Sequence, residues 1–264
     1  MTILPFTTED IPALQELQPP GWDNITPIFN FYLGNGFCSP LKIVIDEKVV
    51  GTGVSILHDE VVWLAHIIVH ADFRNKGIGK HITQHLVDHI PTNCETIYLI
   101  ATDMGEPVYK KSGFIAEADY VFFNKGNFGD DIISENIKPF KGEHLNEIIS
   151  LDKDVYGENR EMHFKSFLEG GFVYLANNKV EAFYLPKFGN GLIVAKNSVA
   201  GTALMKLRSK AFDYFILPSD NKAAIDCLLN HKYIHFRTAK RMRLGKQKPW
   251  QPHNVYNRVS GQIG

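Results

Sequence analysis

From Val61 to Val69 the chain is apolar at every position except His66 and is rich in β-branched residues. The run predicts a central strand buried on both faces. It leads into His70-Ala71-Asp72-Phe73-Arg74-Asn75-Lys76-Gly77-Ile78-Gly79-Lys80, after which Ile78, Ile82, Leu86 and Ile90 are spaced four apart. That spacing predicts a helix with one apolar stripe, so the order is strand, glycine loop, helix. Farther on, Ile97 to Thr102 reads as a second strand, and Glu106 to Ser112 as a short helix closed by Gly113-Phe114.

The pattern recurs. Ile3-Leu4-Pro5-Phe6 is echoed by Ile137-Lys138-Pro139-Phe140. The strand, turn and strand of Leu41 to Thr52, around Glu47-Lys48, are echoed by Phe172 to Tyr184, around Asn178-Lys179. Ile67-Ile68-Val69 matches Leu192-Ile193-Val194, and Tyr98-Leu99-Ile100 with Asp103 matches Phe215-Ile216-Leu217 with Asp220. Each copy then closes on an aromatic after a helix, Phe114 and Tyr233. One order kept twice predicts two copies of an α/β unit. The expected boundary lies in Asn124 to Asp131, where turn formers cluster, giving domains at 1–125 and 132–264.

Composition narrows the function classes. A chain of 264 residues suits two domains of about 130 residues. With 28 Lys and Arg against 29 Asp and Glu, it has no global attraction for nucleic acid or an anionic membrane. Cys38, Cys94 and Cys227 are too scattered for a disulfide framework or a clustered metal site, which predicts a reducing, cytoplasmic setting. The first residues lack the pattern of a signal peptide, and the longest apolar run is far shorter than a spanning helix needs.

The glycine loop carries the chemistry. A helix N-terminus presents unpaired amides and partial positive charge, and so holds phosphate. Gly77 and Gly79 clear side chains from that approach while Arg74, Lys76 and Lys80 add charge. The loop suits a diphosphate, although neither Gly-x-x-x-x-Gly-Lys-Ser/Thr nor Gly-x-Gly-x-x-Gly is present.

Arg74-x-x-Gly77-x-Gly79 after a strand ending in Val69 resembles motif A of the GNAT superfamily of N-acetyltransferases. Tyr109-x-x-x-Gly113-Phe114 resembles its motif B. The whole is similar to two-domain members with a degenerate second copy, including their ends at Arg241-Met242-Arg243-Leu244-Gly245 and Val255-Tyr256-Asn257. The resemblance implies an α/β (α+β) fold of two tandem units, each a mixed, mostly antiparallel sheet flanked by helices. It also implies acetyl-CoA as co-substrate, its pantetheine arm along Ile67, Ile68 and Val69 and its pyrophosphate on Arg74, Asn75, Lys76, Gly77, Ile78, Gly79 and Lys80. A backbone amide near Ile68 would face the oxyanion, and Tyr109 would protonate the departing thiolate. Thr102 stands where members often carry an Asn toward pantetheine. After Val194 the second copy reads Ala195 to Gly201 without the Arg or the paired glycines, so one cofactor site per chain is expected.

A small-molecule amine or amino acid is the expected acceptor, and a monomer or homodimer the expected assembly. Binding of acyl-CoA without turnover, as in a sensor, is the alternative. His66 is the candidate base, with a buried, hydrogen-bonded histidine as the competing reading. Trp22 and Asp154 are candidates for the acceptor side, Asp154 as one of the acids Asp152, Asp154, Glu158 and Glu161, which otherwise read as ordinary acids near a helix start. His81, His85 and His89 share a helix face and read as a polar stripe, so no metal is expected. Arg237 to Lys248 reads as a strand with one solvated basic face.

Overall fold

The computed structural model describes residues 1–129 and 133–264. Asp130, Asp131 and Ile132, and with them the end of the expected boundary segment, lie outside the described residues. The chain forms two compact units. One comprises Met1–Ala116, Met242–Lys246 and Gly261–Ile263; the other comprises Glu117–Arg241, Gln247–Ser260 and Gly264.

In the first unit, strands β1 (Thr2–Pro5), β2 (Cys38–Ile45), β3 (Lys48–His58), β4 (Val61–Val69) and β5 (Thr96–Ala101) lie side by side in chain order. The pairs from β1 to β4 are antiparallel, and β4 with β5 is parallel. Helices α1 (Leu14–Leu17), α2 (Thr26–Leu33), α3 (Ile78–Asp88) and α4 (Glu106–Lys111) flank the sheet. The β2–β3 hairpin turns at Asp46-Glu47, one residue earlier than expected, with φ of 48° and 63°. Two left-handed residues make the turn whose twist matches that of the strands. The apolar stripe of α3, Ile78, Ile82 and Leu86, is buried against this sheet. Glycine in β3 permits the approach, because a Cβ on Gly53 would stand 2.6 Å from Ile82 Cγ2.

The second unit repeats the order of elements. β6 (Ile115–Asn124) leads into it, followed by β7 (Ile137–Pro139), α5 (Leu145–Tyr156), α6 (Glu161–Phe164), β8 (Phe172–Ala176), β9 (Lys179–Leu185), β10 (Leu192–Ala195), α7 (Ser198–Arg208), β11 (Tyr214–Pro218), α8 (Lys222–Asn230), β12 (Ile234–Gly245) and β13 (Val255–Asn257). One sheet runs β13-β10-β9-β8-β7, and β6 lies between β12 and β11. The β8–β9 hairpin turns at Asn177-Asn178 with the same left-handed pair, φ 50° and 58°. Its core joins Tyr184, Ile193, Leu204, Phe215 and Leu228.

The basic stretch does form a strand, but its solvated face needs correction. Arg241 is fully buried and its Nε donates to Glu117 at 3.1 Å. Alternation in sequence marked it as outward, whereas an internal carboxylate holds it inside. No helix among the described residues is long and apolar enough to cross a membrane.

Candidate functional site

The site grows from an interrupted ladder. β3 flanks β4 along its length, but β5 pairs with β4 only from Val61 to Leu64. Beyond Leu64 that side of β4 has no strand partner among the described residues. Thr52 faces Ile68 and Val54 faces Ala65, leaving His66 and Ile67 together opposite Gly53. This is a β-bulge, with His66 left-handed at φ 46°. His70 donates its amide to Val50 O. By strand alternation the amide of Val69 turns the other way, toward the open edge. Such an edge accepts an extended ligand as it would another strand.

The loop begins where that edge ends. Arg74 to Gly77 are exposed, and Arg74 Nε donates to Val69 O at 3.2 Å, fastening the loop to the strand. Asn75 at φ 61° and Gly77 at φ 79° are left-handed, and Gly77 is the N-cap of α3 with no side chain covering the first turn. The amides opening α3 therefore lack a capping acceptor. Gly79 is the informative residue. A Cβ there would meet only Val69 Cγ2, at an ordinary 3.7 Å, and its φ is not left-handed. Folding makes no demand for glycine at 79, and beyond that contact a side chain there would meet open space. Lys76 Nζ sits 4.9 Å over the Phe73 ring, beside the same loop.

His66 and Trp22, chosen separately from the sequence, are brought together. Their rings meet edge to face at 6.0 Å, and Phe29 and Tyr32 of α2 approach His66 at 5.5 and 5.6 Å. Tyr32 Oη lies 2.9 Å from His66 Nδ1. Burial pushes the imidazole down to about 4. The loop carrying Trp22 is held by Gln18, whose Nε2 donates to the carbonyls of Trp22 and Asp23 while its Oε1 accepts from Ile25 N. Trp22, 42% exposed, also lines a cleft of about 530 Å³ with Leu14, Gln15, Gln18 and Thr26. Sequence reasoning missed Tyr32 and Gln18. Only the bulge, which turns His66 back on α2, makes their positions meaningful.

Tyr109 lies on α4, half-buried against the first unit's core with its ring edge on Phe114. Burial raises its phenol to about 12, and its hydroxyl has no hydrogen-bond partner among the described residues. Thr102 follows β5 directly and shapes the approach to α4, its Oγ1 accepting from Gly105 N at 3.3 Å and its carbonyl accepting from Gly105 and Glu106.

Residues 8–114 match the model of the acetyltransferase (GNAT) family. They form a GNAT acetyltransferase domain. No curated protein matches the sequence. Among solved structures, a candidate acetyltransferase from Pyrococcus horikoshii is similar with a TM-score of 0.86 at 21% identity, over 100% of this chain and 95% of its own. A tandem GNAT protein from the clavulanic acid biosynthesis pathway is similar at 0.60 and 10% identity, over 92% and 98%. A GCN5-related N-acetyltransferase from Anabaena variabilis gives 0.61 at 10% identity, over 92% and 72%. At such identities the likeness is one of fold. Membership of the GNAT family places the domain among enzymes of acyl transfer.

The second unit uses the corresponding places differently. β13 pairs with β10, Arg258 N donates to Ile216 O of β11, and Asn257 Oδ1 accepts from Ile216 N. The chain's own strand thus fills the gap that stays open beside β4. The N-terminus of α7 is also taken, because the Asn197 side chain accepts from Ala200 N at 3.0 Å. A Cβ on Gly201 would lie 2.4 Å from the Tyr256 ring, so this glycine serves internal packing.

The acidic cluster separates on folding. Asp152 is buried and takes two bonds from Arg160, at 2.6 and 3.0 Å, and Glu158 is buried as well. Asp154 remains exposed on α5, its carbonyl accepting from Gln251. At the end of α3, His85 and the C-cap residue His89 stack at 3.9 Å, and burial together with His89 and His81 lowers His85. Among the described residues no group of three or more potential ligands is placed to hold a metal.

Proposed function

We propose that the unit built around residues 1–125 moves an acetyl group from acetyl-CoA to a primary amine of a small molecule or amino acid by direct attack, and that 132–264 is a degenerate copy binding no CoA. The observation that carries this reading is the unpaired edge of β4 running into a glycine-capped helix start at Gly77 and Gly79. Ile67, Ile68 and Val69 would receive the pantetheine arm and the amides from Arg74 to Lys80 the pyrophosphate. Thr102 is left at the pantetheine side, with Trp22 and Asp154 as acceptor-side candidates.

The amine nitrogen bonds to the acyl carbon and the C–S bond breaks. Amides of the open edge stabilise the oxyanion that forms between these events. The sulfur leaves as thiolate and takes a proton from Tyr109 Oη, which the proton lost by the attacking nitrogen replaces. A phenol raised to about 12 stays protonated, and so able to donate, throughout the physiological range.

The test offers acetyl-CoA and a panel of primary amines to the purified protein and follows free thiol with acetylated product. Amine-dependent release of both is expected. Binding of acetyl-CoA with no amine-dependent release would instead favour a sensor of acyl-CoA, a reading supported by the absence of a strong base at His66.

His66 is proposed to act as a neutral hydrogen-bonding partner within the aromatic group. An alkylammonium near 10.4 would give its proton to an imidazole near 4 only at a cost of about 9 kcal/mol. The amine therefore arrives neutral or loses its proton to water. His66→Gln should leave the shape of the pH–rate profile between pH 6 and 9 unchanged, and loss of a limb with an apparent pKa in that range would restore His66 as the base. Stability has a definite sign here. The unfolded imidazole binds a proton near 6.5 and the folded one only near 4, so stability present above 6.5 is lost as pH falls toward 4. Up to about 3 kcal/mol is at stake, and His66→Gln should flatten that acid limb of denaturant-melting curves.

A further inference from the structure

The second unit holds a buried positive charge with no anionic partner among the described residues. Arg258, directly after β13, is 5% exposed. Its guanidinium lies 4.9 Å from the centre of the Tyr120 ring and 5.1 Å from that of Phe122, two residues on one face of β6. Nε and Nη1 are fully enclosed without a hydrogen-bond partner among the described residues. The same is true of Tyr120 Oη and of Trp250 Nε1, whose ring is 6.3 Å from that of Tyr120. Three side chains in one neighbourhood thus offer donors without acceptors. The other buried arginines differ, since Arg160 has Asp152, Arg241 has Glu117, and Arg208 has backbone carbonyls of Asn190 and Tyr214.

A buried ion without a partner is among the most costly arrangements a fold can hold. Burial lowers Arg258 to about 10 and exposed Arg237 pushes the same way, yet the group stays cationic at neutral pH. Tyr156 also acts on it, but burial raises that phenol, so it is no anion at that pH. Arg237 lies 5.1 Å from the same Phe122 ring and stands beside exposed Phe236, so the cluster reaches the surface through aromatic and cationic groups.

We propose that Arg258, with Tyr120 and Trp250, forms a binding site in the second unit for a small monocarboxylate with an apolar or aromatic body. The planar fork of a guanidinium matches a carboxylate with two parallel bonds. One enclosed charge calls for one negative charge, and the aromatic faces of Tyr120 and Phe122 favour an apolar remainder over a hydrated phosphate dianion. This site is independent of the acetyl transfer assigned to the first unit.

Calorimetry on the full chain at constant ionic strength, with benzoate, acetate and inorganic phosphate as probes, tests it. Benzoate should bind more tightly than acetate and raise the melting temperature, while phosphate should do no more than chloride. Arg258→Met should weaken benzoate on the order of tenfold or more, and Tyr120→Phe should weaken it less. Arg258→Lys serves should the methionine variant fail to fold, since it retains charge but loses the fork. Absence of benzoate binding by the wild type, phosphate binding as well as benzoate, or undiminished benzoate binding in these Arg258 variants would each overturn the proposal.

Discussion

Tyr109→Phe is expected to lower kcat on the order of 10²–10³-fold while the affinity for acetyl-CoA stays within about twofold. The ring is fixed by packing that the substitution leaves in place. It meets Phe114 edge to face, and a Cβ on Gly105 would come within 2.8 Å of Tyr109 Cε2, so the glycine gives the ring its room. The hydroxyl holds nothing else among the described residues, which separates its loss from any loss of fold. Melting temperature should therefore be unchanged. A group acting only on the departing sulfur contributes in the transition state and not to donor binding, so kcat should carry the whole effect. Because burial holds the phenol near 12, the wild type should show no fall in rate assignable to Tyr109 below about pH 11. An unchanged kcat in the variant removes Tyr109 from the chemistry, whereas an equal fall in affinity makes it a contact for the donor.

What the sequence discloses about this chain is set by the range of the interactions involved. The strand Val61–Val69 is legible because burial on both faces leaves an unbroken apolar run, and α3 because its stripe must meet the sheet. The repeat is legible through the same local patterns, although the β2–β3 and β8–β9 turns both fall one residue earlier than those patterns indicate. The bulge at His66-Ile67 is not written in that local pattern, and only the family resemblance allows for one on this strand. With the bulge unplaced, the packing of His66 against Trp22 and Tyr32 and the bond to Tyr32 Oη stayed hidden. Charge was misread for a related reason. Asp152, Glu158 and Arg241 look like surface residues in the sequence, and Arg160 and Glu117, which hold two of them inside, stand 8 and 124 positions away along the chain. The self-filled gap of the second unit needs β13 to return between β10 and β11, a long-range placement that no local pattern states.

Gly79→Glu sets fold and ligand against each other. A glutamate in the first turn of α3 complements the helix dipole and should stabilise the helix by about 0.3–1 kcal/mol. Glycine to a better helix former adds in the same direction. The site has space for the substitution at Cβ, since only Val69 Cγ2 is near, at 3.7 Å. Binding of acetyl-CoA should nevertheless weaken on the order of 100-fold or more, because a carboxylate at the amides that would hold a diphosphate both occupies them and repels it. Gly77 cannot give this separation, for at φ 79° any side chain strains the backbone and confounds stability with affinity. Calorimetric titration with acetyl-CoA beside a thermal melt reads both quantities on one sample. A melting temperature held or raised with affinity lost assigns Gly79 to the donor. Affinity retained at equal stability would mean that the start of α3 is an ordinary turn, and the pyrophosphate assignment from Arg74 to Lys80 would fall with it.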